Sequence, residues 1–254
     1  MDTAEVDMDD ALPSYTREID AFRVAARAVA RDIYRAHLSA PLASEPVTEV
    51  RARVQDFGSR LIDYLVDLGD LVEYRGRLLP SPALDRAENS RDALATYAEG
   101  SERRSSLAWF LGACRDIADG VLKGEDGFRL LRARDPRGLV ERWEHLMREA
   151  PILEPCRLFA ARALASQLNV PRVIFEGGAG VGVVLQTLLG DARLAARVDQ
   201  IARYHFTELD PALLAVGRAG LTRAAPPSLV EALWFRRLDL DAFARDPEAS
   251  GFAP

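Results

Sequence analysis

Seven residues, Glu176-Gly177-Gly178-Ala179-Gly180-Val181-Gly182, follow directly on the apolar run Val173-Ile174-Phe175 and fit the pattern acid-x-Gly-x-Gly-x-Gly. Glycine belongs where backbone turns tightly out of a strand and where it must touch a ligand with no Cβ between them. The loop leads into a helix expected over Val181–Leu189, whose unpaired N–H groups favour a carboxylate such as that of methionine. The acid, Glu176, repels a pyrophosphate but suits a ligand that carries a sulfonium and an amino group.

The rival is the dinucleotide fingerprint G-x-G-x-x-G, and no start satisfies it. Gly178 and Gly180 are followed by Val183 at the third glycine position, Gly177 meets Ala179 at the second, and Gly180 with Gly182 meets Leu185. A second strand is predicted over Ile201–Leu209, with Tyr204-His205-Phe206-Thr207-Glu208 ending in an acid. A carboxylate at a strand tip accepts hydrogen bonds from both hydroxyls of a ribose. Glu208 lies 32 residues beyond Glu176 (208 − 176), a wider interval than the about 20 of the dinucleotide pattern. Asp210-Pro211 then starts a helix, and a third strand over Ala232–Leu238 ends at Asp239, placed to meet an adenine amino group. Asp241, two residues away, competes for that role.

Strand, glycine loop and helix mark the first unit of an α/β domain, expected over residues 166–254. What precedes it reads as nearly all helix. Residues 1–12 are acidic and without periodic apolar positions, a frayed tail. From Ser14, Ile19, Phe22, Ala26, Val29, Ile33 and Ala36 fall on one helical face, with Pro13 before the helix and Pro41 beyond it. Val47, Val50, Val54, Phe57, Leu61, Leu65 and Leu68 line a second helix, which Gly69 caps. Leu71–Tyr74 and Arg77–Leu79 around Arg75-Gly76 predict a hairpin, so that residues 13–165 read as a winged-helix-like lid or dimerisation domain. Residues 82–104 read as a loop or loosely packed helix, followed by helices around Leu107–Val121, Leu139–Met147 and Leu158–Leu168.

The net charge of −6 and the absence of a basic cluster on the second helix argue against nucleic acid as a partner and against a transcriptional regulator. No stretch is long and apolar enough for a membrane span, and five acids with no base in the first ten residues do not make a leader, so a cytoplasmic protein is expected. Cys114 and Cys156 are expected in the core. His37, His145 and His205 share no ligand spacing, so no metal is expected. His145, beside Trp143 and Met147, is the candidate base among them, though the same spacing also describes simple core.

The run Val173–Gly182 resembles motif I of the class I S-adenosylmethionine-dependent methyltransferases. Tyr204–Pro211, and Phe235–Leu240 continuing through Asp246-Pro247 and Gly251-Phe252, resemble the methyltransferase domains of polyketide synthases and related natural-product enzymes. The resemblance covers about residues 165–254. It implies a Rossmann-like core in which Glu176 and the backbone of Gly178, Gly180 and Gly182 hold the methionine part of S-adenosyl-L-methionine. Glu208 would bind the ribose, Leu209 would pack on the adenine, and Asp239 with Leu240 would read its edge. It implies a small-molecule or acyl-carrier-protein-tethered acceptor, and a homodimer or a place within a multidomain synthase.

Such a fold has seven strands, yet 72 residues (254 − 182) follow the glycine loop and two further strands can be placed in them. An incomplete core of about three strands is therefore expected, with the third strand presenting an open edge and an uncovered apolar face. The alternative function is a truncated or degenerate, non-catalytic module that serves dimerisation or docking.

Overall fold

The computed structural model describes residues 8–85, 89–135 and 138–246. They divide into two compact units, Met1–Arg142 with Glu149–Ile152, and Trp143–Arg148 with Leu153–Pro254.

The first unit is helical. Helix α1 spans Met8–Ile33 and runs through a π-helical turn, Tyr34–Leu38, into α2, Ser39–Ser44. Pro13 and Pro41 therefore lie inside helix, where the sequence places them outside. At Pro41, the wider turn just before it lets the chain continue around a residue that lacks an N–H. Of the tail expected over 1–12, residues 8–12 are helical, while 1–7 lie outside the described residues.

The second expected helix breaks at Val54 into α3, Val47–Arg53, and α4, Gln55–Asp67, and buries Val47, Val50, Val54, Leu61 and Leu65. The amides of Gly69 and Asp70 return to the carbonyls of Val66 and Leu65, closing α4 as a left-handed glycine cap does. Strands β1, Leu71–Tyr74, and β2, Arg77–Pro80, pair antiparallel in the expected register. Arg75 and Gly76 both take positive φ, as a two-residue hairpin turn requires.

Beyond the hairpin come α5, Pro82–Asp85, and α6, Ser90–Glu99. Helix α6 is capped by the Asn89 side chain and buries Ala93, Leu94 and Tyr97, so it is neither a loop nor loosely packed. Helix α7, Ser105–Leu122, is followed by α8, Gly127–Arg134, an unexpected helix that Asp126 caps.

Helix α9, Gly138–Glu149, contributes residues to both units, and α10, Glu154–Gln167, belongs to the second. The boundary expected at 165/166 thus falls earlier. Ala161, Ala165 and Leu168 pack with the sheet residues Ile201, Tyr204 and Phe206, so α10 is part of that core.

The sheet is parallel, in the order β3 (Arg172–Gly177), β4 (Ile201–Glu208), β5 (Leu233–Arg237). Between strands lie α11 (Val183–Gly190), α12 (Ala192–Ala195), α13 (Pro211–Ala224) and α14 (Pro227–Ala232), and α15 (Leu240–Arg245) follows β5. Strand alternation and register put Ile174, Glu176, Tyr204, Phe206, Glu208 and Phe235 on one face, which the core cluster covers. On the other face Val173, Phe175 and Trp234 are 64%, 43% and 53% exposed. The exposed apolar surface therefore extends to the outer strand that carries the glycine loop, where the Phe243 ring of α15 stacks on Phe175, while the sequence placed it at the third strand.

Candidate functional site

The glycine loop joins β3 to α11. Gly178, Gly180 and Gly182 have φ of 65°, 57° and 78°, the left-handed region in which an L side chain is strained. Between them Ala179 and Val181 are buried and anchor the loop in the core. The Ala179 amide donates to the carbonyl of Thr207, tying the loop to the end of β4. Helix α11 opens at Val183, two residues later than expected, with Gly182 as a cap that offers no side chain. First-turn amides of an α-helix have no carbonyl partner within the helix.

Glu176 and Glu208 lie on the same face of adjacent strands, with Glu208 two residues beyond Phe206, the partner of Glu176. The Tyr204 hydroxyl donates to Glu176 Oε2 at 2.8 Å, and Glu176 makes no other side-chain hydrogen bond among the described residues. Burial pushes the Glu176 carboxyl up to about 7 against the opposing effect of that hydrogen bond. The same contact and burial raise the Tyr204 phenol far above its ordinary range. Thr207, fully buried, donates its hydroxyl to the carbonyl of Glu176 at 2.8 Å.

Glu208 is buried with both oxygens engaged: Oε2 accepts from the Gly180 amide at 2.8 Å and Oε1 from the Asp210 amide at 2.9 Å. A carboxylate has about four lone-pair sites, so two remain for a ligand hydroxyl pair. Asp210 caps α13 through the amides of Ala212 and Leu213, as its sequence context predicts.

Leu209 and Leu240 are exposed. A Cβ added at Gly177 would lie 3.1 Å from the Leu240 side chain, so α15 brings Leu240 against the glycine loop. Asp239 stands two residues past the end of β5, not at it. Its Oδ1 caps α15, accepting from the amides of Asp241 and Ala242 at 2.9 and 3.1 Å. Asp241 is exposed in the first turn of that helix.

Gly217 escaped the sequence reading. A Cβ there would stand 2.5 Å from the Phe206 ring and 3.2 Å from the Gly180 carbonyl, so α13 needs glycine to approach the loop. Tyr204 and Thr207 were also passed over. The period-two alternation that put Glu208 on the covered face applies equally to Tyr204.

The histidines do not gather here. His145 is exposed on α9, His37 lies 3.8 Å from Asp119, and His205 sits on the opposite sheet face against Trp234. Cys114 is partly buried, but Cys156 is exposed on α10, not in the core. A cavity of about 410 Å³ in the first unit, lined by Trp109, Asp116, Leu131 and Arg134, contains none of the predicted site residues. Among the described residues no helix is long and apolar enough to cross a membrane.

No protein-family model matches the chain, and no curated protein matches it. Solved structures do. The DszA carbon methyltransferase superposes with a TM-score of 0.66 at 17% identity, covering 96% of this chain and 63% of that one. The CurJ carbon methyltransferase gives 0.63 at 15%, covering 96% and 67%. The CMeT domain of the citrinin polyketide synthase gives 0.61 at 17%, covering 91% and 66%. The chain spans about two thirds of the length of these structures. It has their fold, that of a class I methyltransferase, as the resemblance of the glycine loop implies.

Proposed function

We propose that the chain binds S-adenosyl-L-methionine at its glycine loop as part of a carbon methyltransferase acting on a natural-product intermediate. The observation that carries this reading is the loop itself: three left-handed glycines enter a helix N-terminus, flanked on one sheet face by two carboxylates, Glu208 buried and Glu176 half-buried. The first-turn N–H groups of α11 would receive the methionine carboxylate, with the backbone of Gly178, Gly180 and Gly182 packed close against the methionine part, and Glu176 would receive the ammonium. Glu208 would take the ribose hydroxyls, Leu209 and Leu240 would flank the adenine, and Asp239 Oδ2 would accept from its amino group. Bound there, the cofactor supplies an electrophilic methyl group, and the protein's task is to hold donor and acceptor in line and exclude water.

Support for this choice of acceptor comes from the neighbours, two of them carbon methyltransferases and one a domain of a polyketide synthase. A carrier-protein-tethered acyl chain fits that setting, with the helical unit, winged-helix-like in its hairpin, as a lid or dimerisation region. The partly exposed apolar sheet face favours a second reading, a non-catalytic docking module. Isothermal titration with S-adenosylhomocysteine tests the first. Saturable binding that Glu208→Ala abolishes supports it, and absence of binding, or binding indifferent to Glu208→Ala, rejects it.

A further inference from the structure

Tyr204 is almost completely buried in the middle of β4, where a phenylalanine would fill the same space without a polar atom to satisfy. Its hydroxyl is spent on one partner, Glu176 Oε2 at 2.8 Å. We infer that Tyr204 is a positioning residue of the cofactor site, holding one oxygen of Glu176 within the sheet and leaving the other for a cationic ligand group at the glycine loop. This rests on the reading of the loop as a sulfonium-cofactor site.

The surroundings of Glu176 make the tyrosine consequential. On β4 the same face presents Tyr204, Phe206 and Glu208, and both oxygens of Glu208 are held by the Gly180 and Asp210 amides. Helix α10 contributes Ala161 and Ala165 to this core, Leu168 follows at its C-terminal end, and α11 contributes Leu185 and Leu188. Helix α15 brings Leu240 to Gly177. None of these is a cation, and the arginines of this face, Arg237 on β5 opposite Glu208 and Arg218 of α13 over the Phe235 ring, do not act on Glu176. Burial raises the carboxyl and the Tyr204 hydrogen bond opposes it, with no charged neighbour contributing. A ligand ammonium would supply the missing positive charge, so binding favours the ionised carboxylate and expels its proton wherever the free site still holds one.

The test is titration with S-adenosylhomocysteine from pH 5.5 to 8.5 on the wild-type chain and on Tyr204→Phe, Glu176→Gln and His205→Gln. Wild-type affinity should fall about tenfold from pH 8 to pH 6, because the carboxylate population falls by that factor around a midpoint near 7. Tyr204→Phe, having lost the donor that stabilises the carboxylate, should move the midpoint to higher pH. Glu176→Gln, which keeps an acceptor for the tyrosine, should bind weakly and without pH dependence. His205 lies on the opposite face, and His205→Gln should keep the wild-type midpoint.

A tyrosine that merely packs would change affinity by one factor at every pH, and that result, or an unmoved midpoint, overturns the inference while leaving the cofactor reading intact. Should Tyr204→Phe not fold, a wild-type pH profile in Glu176→Gln overturns it equally. No binding by the wild-type chain at any pH removes the cofactor reading and this inference together.

Discussion

Glu208 Oε2 accepts the backbone N–H of Gly180 at 2.8 Å, so the acid at the tip of β4 holds the middle of the glycine loop that follows β3. Ala179 and Val181 anchor the loop in the core, but its glycines have no side chains with which to fix themselves. Its geometry is set from outside by this carboxylate, by the Thr207 carbonyl on the Ala179 amide and by the close approach of Gly217. A residue expected to bind a ribose is thus also a brace for the loop that would bind the amino acid.

Glu208→Ala should therefore cost stability as well as affinity. It leaves the part-buried Gly180 and Asp210 amides without their acceptor, a loss of about 2–4 kcal/mol at roughly 1–2 kcal/mol for each, the lower part of the range for a group left unpaired. Urea denaturation measures it. An unchanged midpoint would show that the carboxylate is not bracing the loop.

Gly182→Ala forces φ of 78° on an alanine and sets its Cβ 2.9 Å from the Phe206 ring. The two effects together should cost about 2–4 kcal/mol. Gly190→Ala is the control: its Cβ meets nothing within 4 Å, and the change should be neutral or stabilising by about 0.5 kcal/mol. Equal effects of the two in denaturation would contradict the assignment of Gly182 to a strained, crowded turn.

The Glu176 carboxyl is raised in the folded chain, from 4.5 to about 7. The folded state therefore prefers the protonated form. The stability this contributes is fully present below the unfolded value and lost as pH rises through about 7, a swing of up to about 3 kcal/mol. Glu176→Gln should match the wild type near pH 5 and exceed it in thermal stability at pH 8. A variant less stable than wild type at pH 8 would show the carboxylate to be well solvated or paired there.

In the first unit, Asp70 is fully buried and accepts from Arg27 at 2.7 and 2.8 Å and from Arg31. Despite burial, the two guanidinium groups hold its carboxyl below the usual range. Asp70→Ala leaves two arginines of α1 without their partner and should cost about 3–5 kcal/mol. A cost under about 1 kcal/mol would mean that the arginines re-pair with solvent at no penalty.

The glycine loop, the three strands and the hairpin were legible because their signals are local: glycine where φ is positive, alternation along a strand, a two-residue turn. The π turn before Pro41 and helix α6 were not. Pro41 reads as a stop unless the widened turn that accommodates it is known, and the polar residues of α6 hide the buried Ala93, Leu94 and Tyr97. The site's contacts were harder still. Tyr204 on Glu176 and Gly217 against Phe206 join residues 28 and 11 positions apart, the first depending on β4 pairing beside β3 in one particular register and the second on α13 folding back onto β4. The role of Asp239 was read from its place near a strand end, while its cap on α15 depends on a helix that the sequence reading did not place.

The central claim, that this loop grips an S-adenosyl nucleoside amino acid, is tested most directly by amide hydrogen exchange with and without S-adenosylhomocysteine. Slowed exchange confined to the amides of residues 178–185 and the neighbouring end of β4 is the result expected. Unaltered exchange there, or protection appearing elsewhere in the chain, would contradict it.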